Sequence, residues 1–322
     1  MRPVGCLVEL TRAYPGAHQF LDEARASGMM GSRDWPSWCF APREVTLAAC
    51  MRALEEDGRP LTPASVRQHG EPITHLHALL AWRPSQGIYS IHPALQRELW
   101  RTPCTGAIPV QALDRLPEWC CYVALDPMMD GINGFFVRHD LAMGEHDLLW
   151  IVDYGDRLLT QSLGLEFADD LEGALLATEE ADERALRAGN PGAAAVRITS
   201  LPRATIEGLL SLTLYLCSQA EFSPGNASAE KAGQPTKAEP TKTRNGPRLY
   251  PPQHPRLWRV GWDLGEALER AQLPGEGSVR PHLRRAHWHH YWVGQGRTRL
   301  ELRWIHPVLV GGEQPGNNPA SP

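Results

Sequence analysis

Along this chain the hydrophobic positions change their period twice. Before position 100 they recur at helical spacing. Val45, Ala48, Ala49, Met51, Leu54 and Glu55 follow a helical turn pattern, apolar inward, in a helix predicted over 42–56, which Gly58 ends. Thr62 followed by Pro63 marks a second start, an N-cap with proline at the first helical position. Pro72 opens a further predicted helix through Trp82. From Pro117 short runs rich in aromatic and β-branched residues take over, at 119–125, 133–139, 147–154 and 157–163. Asp130-Gly131, Gly144 and Gly155-Asp156 interrupt them. These breaks are too short for crossover helices, so the runs predict an antiparallel meander. A charged amphipathic helix over 171–187 follows, and then a helix over 206–219 that is apolar on nearly every side and hence buried.

Positions 223–247 hold no large apolar residue and are dense in Pro, Gly, Ala, Thr and Lys, which predicts a disordered linker. Helical spacing resumes over 258–272. A hairpin is then predicted, with strands over 287–293 and 298–305 about the turn Gly294-Gln295-Gly296. The resulting plan is a helical region over 1–116, antiparallel strands with two helices over 117–222, the linker over 223–247, and a C-terminal helix and hairpin over 248–313. It reads as one composite α+β domain, with the C-terminal helix and hairpin packed back onto a central antiparallel sheet.

Composition narrows the function. The 322 residues carry a formal charge of −5, so any contact with RNA or DNA would need a local basic patch. Only Lys231, Lys237 and Lys242 of the 32 basic residues are lysines, a bias expected of a GC-rich coding sequence. The seven cysteines form no C-x-x-C pair and follow no secretory leader, which predicts reduced thiols, mostly buried. Cys120 and Cys121 point to opposite faces of a predicted strand, as a core and a turn-side residue and not a redox pair. The longest apolar run, Gly208 to Cys217, falls far short of the roughly 20 residues that span a bilayer. The expectation is a soluble cytoplasmic protein with no membrane contact. His75 and His77 are two apart and cannot share a helical face, which argues against a metal pair there. Asp126, Asp130 and Asp153 end predicted strands, where solvated turn carboxylates are common.

The segment from Arg280 to Val310 gathers five of the thirteen histidines and three of the eleven tryptophans together with six arginines. Imidazoles, indoles and guanidinium forks in one stretch read first as a recognition surface or a reaction site. The binding candidates are His282, Arg284, Arg285, His287, Trp288, His289, Tyr291 and Trp292. Strand alternation puts His287, His289 and Tyr291 on one face, and Trp288, His290 and Trp292 on the other. On the second strand Arg299, Glu301 and Arg303 share a face, with Leu300, Leu302 and Trp304 opposite. Three chemistries compete with simple packing of these side chains. A metal site finds two ligands in His287 and His289 but no third at usable spacing. A metal-independent ribonuclease would use His287 and His289 as acid and base beside Arg284 or Arg285. A peptide-binding cleft would use aromatic walls with Arg or His holding carbonyls or acidic side chains. The last is the favoured reading; it requires no cofactor and no metal, and commits to no catalytic residue.

The strings RPHLRRAHWHHYWVGQG and RLELRWIHPVLV resemble the C-terminal signature of a family of anti-CRISPR proteins that act against the type V-A CRISPR effector nuclease. LPEWCCYV (116–123), AWRPSQGIYSI (81–91), LLSLTLYLC (209–217) and RVGWDLGEALERAQ (259–272) match in order and character along the rest of the chain. The resemblance implies an inhibitor that recognises the N-terminal polypeptide of the effector as it is made, after which the messenger RNA is lost. The implied partner is that nascent peptide, with the translating ribosome or the mRNA engaged indirectly. At Ala286 this chain departs from the glycine of its relatives, a change at the start of the first hairpin strand.

Overall fold

A seven-stranded mixed sheet organises the chain. The computed structural model describes residues 2–17, 43–59, 62–104, 107–126, 131–142, 145–166, 168–187, 201–218, 221–239, 241–244, 246–248, 250–272, 282–284, 286–296, 299–305 and 307–310. Cys39 and Asp130 fall outside these residues. Helices α1 (Arg2–Ala13), α2 (Arg43–Glu56) and α3 (Pro63–Trp82) come first. Thr62 caps α3 in a reciprocal box with Ser65, as the Thr-Pro pair predicts. Pro72 does not open a new helix; it lies inside α3, which continues through it.

Strands β2 (Cys121–Ala124), β3 (Gly134–Ala142), β4 (Glu145–Asp153) and β5 (Leu158–Gly164) form the expected antiparallel meander. The sheet extends beyond it. Strand β1 (Gly87–Ile91) pairs parallel with β2 on one side and with β9 (Arg256–Val260) on the other, and β6 (Phe222–Pro224) closes that edge antiparallel to β9. β1 falls inside the region expected to be helical. Between β1 and β2 run helix α4 (Pro93–Trp100) and a 3-10 turn (Val110–Arg115), the crossover that parallel pairing demands. β9 also takes the first residues of the helix expected over 258–272, so that α8 begins only at Trp262 and ends at Gln272.

Both sheet faces are covered. Ile88, Cys120, Tyr122, Phe136, Leu149 and Ile151 pack with Leu79 and Trp82 of α3. Tyr89, Cys121, Val123, Phe135, Val137 and Trp150 face α4 and the buried helix α6 (Arg203–Ser218). This two-sided burial explains why the strands read as continuous apolar runs. Cys120 and Cys121 do point to opposite faces, but both are core thiols. Helix α5 (Leu171–Arg187) follows β5 and contacts it.

Polar groups tie the N-terminal helices to the sheet. Arg2 Nε donates to both oxygens of Asp153 at 2.7 and 2.8 Å, and Tyr122 donates to the same carboxylate at 3.2 Å. Asp153 is therefore a buried junction and not a solvated turn residue, because α1 brings a guanidinium to it. Farther along, Arg43 pairs with Asp140, and His77 Nε2 lies 2.7 Å from the other oxygen of that carboxylate. Burial would raise the Asp140 pKa, but the fields of His77, Arg43 and Arg138 outweigh it and hold the carboxyl well below its usual range. Burial, aided by Arg138 and Arg43, lowers His77 to about 4. Its neutral ring then accepts from Thr46 at 2.8 Å and donates to Asp140.

The stretch over 223–247 is not a disordered linker. It contains part of β6, helix α7 (Ala227–Ala232) and the small pair β7 (Thr241–Thr243) and β8 (Gly246–Arg248). It lacks large apolar anchors of its own but is held by other groups. Asn226 caps α7, accepts from Leu257 N and donates to Pro255 O. Trp119 Nε1 donates to Ala238 O at 2.9 Å, while Lys237 lies 4.7 Å over the Trp119 ring. Among the described residues no helix is long and apolar enough to cross a membrane.

Candidate functional site

The histidine-rich hairpin forms at the positions its alternation predicts. Strands β11 (His287–Val293) and β12 (Arg299–Ile305) pair antiparallel, with Trp288 opposite Trp304, His289 opposite Arg303 and Tyr291 opposite Glu301. Gly294 and Gly296 take φ of 86° and 75° in the turn, a conformation that side-chain-bearing residues resist. β10 (His282–Arg284) and β13 (Val308–Val310) pair just outside, as a separate two-stranded ladder.

The inward face anchors the hairpin. Trp288 is 8% exposed, Leu302 8% and Trp304 9%, and all three join the core that includes α6. Trp304 packs edge-on against Tyr215 with ring centres 6.2 Å apart, and its Nε1 donates to Thr102 Oγ1 at 3.2 Å. Ala286 is buried in the same core. Trp288, a binding candidate by sequence, is thus an anchor that supports the opposite face.

The outward face is a ladder of aromatic and charged groups. His287 and His289 have ring centres 6.3 Å apart, and His289 meets Tyr291 edge-on at 4.6 Å. Arg303 reaches across from β12, its guanidinium carbon 5.4 Å from the Tyr291 ring centre and its Nη2 3.3 Å from Glu301. His287, His289, Arg303 and Tyr291 are exposed. The structure therefore joins His287, His289 and Tyr291 as expected, and adds Arg303 and Glu301. Sequence alternation had put those two on one face of their strand without matching it to the histidine face; register supplied the match. His282 and Arg284 lie in β10, Trp292 lies in β11 opposite Leu300, and Arg285 lies outside the described residues. Among the described residues, no group of three or more His, Cys, Asp or Glu side chains is placed to hold a metal ion. What the face can do is donate: imidazole and guanidinium N–H groups beside ring faces suit carbonyl oxygens, carboxylates and planar groups.

Fold and site define a mixed-sheet α/β protein with a core-anchored hairpin whose outer face is built of donors and rings. Residues 89–312 match the AcrVA2-like family, the Anti-CRISPR type V subtype A2 family, and the chain belongs to it. The matched span includes the whole hairpin. The chain is also similar to a solved structure described as "Crystal structure of AcrVA2", with a TM-score of 0.64 and 22% identity over 96% of this chain and 98% of that one, which establishes a shared fold. No curated protein matches this chain. Family membership supports an anti-CRISPR function.

Proposed function

We propose that this protein inhibits a type V-A CRISPR effector by binding its N-terminal polypeptide as it is synthesised, and that the effector's messenger RNA is lost as a result. The observation that carries this reading is the outward ladder of His287, His289, Tyr291 and Arg303, held to the core by Trp288 and Trp304 within the family-matched span. An unfolded nascent segment presents unpaired carbonyls and extended side chains. A paired strand surface rich in donors and rings, anchored through its inward tryptophans, suits both.

The test is co-expression with a type V-A effector, and separately with a reporter fused to the effector's N-terminal coding segment. Effector protein and mRNA are measured for wild type, His289→Ala and Arg303→Ala. Each substitution removes charge-assisted hydrogen bonds worth about 1.5–3 kcal/mol, so suppression should fall by at least tenfold while the variants remain folded and abundant. Folded variants that suppress as well as wild type would overturn the reading. Cleavage of purified RNA in the presence of chelator, lost in His287→Ala and His289→Ala, would instead establish the ribonuclease.

A further inference from the structure

Behind the hairpin, between β12, the end of α6 and the start of α8, lies a cavity of about 310 Å³. Its walls are Tyr215, Gly261, Leu264 and Trp304, with Ser218, Glu221 and Asp263 among its polar groups. The Tyr215 and Trp304 rings stand at 85° to each other. The indole N–H is committed to Thr102 and the Tyr215 hydroxyl is packed against Gly261, where any Cβ would lie 2.7 Å from that oxygen. Tyr215 and Trp304 are 6% and 9% exposed, so each shows the cavity a small apolar area. Glu221 and Asp263 are exposed, and among the described residues neither has an ion-pair partner. Burial, reinforced by the charge of Glu221, pushes the Tyr215 hydroxyl up to about 12, so that carboxylate lies close enough to be felt at the ring.

Two aromatic side chains beside two exposed carboxylates suit an organic cation better than an anion: an alkyl stem would lie against the rings and an ammonium or guanidinium head would face the carboxylates. We propose that this cleft is a subsite for a basic group of the bound peptide: a lysine or arginine side chain, or a terminal ammonium. The assignment rests on the peptide-binding reading above. It places a second contact region on the inward side of the same strand that carries Arg303.

The probes are N-acetyl-arginine amide, N-acetyl-lysine amide and leucinamide, with N-acetyl-norleucine amide as the neutral control. Each is titrated into the full-length protein at low ionic strength and followed by ligand-observed NMR. At least one cation should bind saturably and more tightly than the control, and which one binds identifies the source of the charge. Glu221→Gln and Asp263→Asn should each weaken it about tenfold, and added salt should weaken it further. Cations that bind no better than norleucine amide on wild type overturn the proposal whatever the variants do. So does binding that survives unchanged in the folded double variant. The cellular assay separates this failure from that of the parent reading. If His289→Ala and Arg303→Ala lose suppression while Glu221→Gln and Asp263→Asn keep it, only the subsite fails. If wild type suppresses no effector, the parent reading fails, and the titration still decides whether the cleft takes a cation.

Discussion

Trp304 and Trp288 both fill the inward face of the hairpin, yet they should respond differently to substitution. Truncating either to alanine opens a cavity in a packed region and costs about 3–5 kcal/mol, a large part of the roughly 5–15 kcal/mol that holds a domain folded. Their hydrogen bonding separates them. Trp304 donates to Thr102, whose own hydroxyl donates to Glu98 O at 2.7 Å, whereas the buried Trp288 Nε1 has no partner among the described residues. Trp304→Phe therefore loses packing and a hydrogen bond of about 1 kcal/mol, while Trp288→Phe loses packing but also sheds an unsatisfied donor whose burial costs about 1–3 kcal/mol. Trp288→Phe should be near neutral and Trp304→Phe clearly destabilising. Because Trp288 and Trp304 are cross-strand partners, the double alanine variant should lose less than the two singles combined, by about 0.5–1 kcal/mol. Urea denaturation gives the energies. Hydrogen exchange over 286–305 shows whether the hairpin opens before the sheet, as expected of a separate two-stranded ladder seated on α6. Equal costs for the two phenylalanine variants, or unchanged hairpin protection in Trp304→Ala, would refute the anchoring argument.

Asn226→Ala should lower stability by about 1–2 kcal/mol in chemical denaturation, since that side chain caps α7 and also bonds Leu257 N and Pro255 O. Asp140→Ala should cost about 3–5 kcal/mol or abolish folding, because it removes the buried carboxylate that pairs with Arg43 and accepts from His77; a Tm near that of wild type would contradict this. Gly261→Ala should destabilise by more than about 1 kcal/mol, as its φ of 61° and its contacts with Leu95 and Tyr215 leave no room for a methyl. Desolvation lowers buried His75 and His77 and half-buried His139 to about 4. Protons then bind the unfolded chain first, so stability present above pH 6.5 should be lost as pH falls from about 6.5 toward 4. Urea midpoints measured across that window check the sign.

Elements that depend on local pattern were legible in the sequence; those that depend on a distant partner were not. The meander over 121–164 follows from short apolar runs with breaks too tight for helices, and the capped start of α3 follows from Thr62-Pro63. GIYSI and RLWRV are short and sit beside helical stretches, so nothing local distinguishes them as strands. They become interior strands of the sheet because each finds a parallel neighbour far away in the chain. The stretch over 223–247 fails for the converse reason. Composition correctly reports that it has no core of its own, but cannot report that Trp119, Pro255 and Leu257 come to it from outside. Asp153 likewise looks like a turn carboxylate until α1 delivers Arg2.

The candidate site divides along the same line. Period-two alternation was enough to place His287, His289 and Tyr291 together and to send Trp304 inward, because a strand's faces are fixed by its own sequence. Joining Arg303 and Glu301 to that face needs the register, and register depends on the hairpin turn and on which face the core accepts. The acidic cleft lies further still from local inference. Its walls come from α6, the start of α8 and β12, and Glu221 and Asp263 are unremarkable surface carboxylates in sequence. Neither side of the hairpin can be read from β12 alone: Arg303 matters outward because β11 presents Tyr291 and His289, and Trp304 matters inward because α6 presents Tyr215. If the peptide reading holds, one strand serves two contact regions, and substitutions at alternate positions of β12 should separate anchoring from recognition.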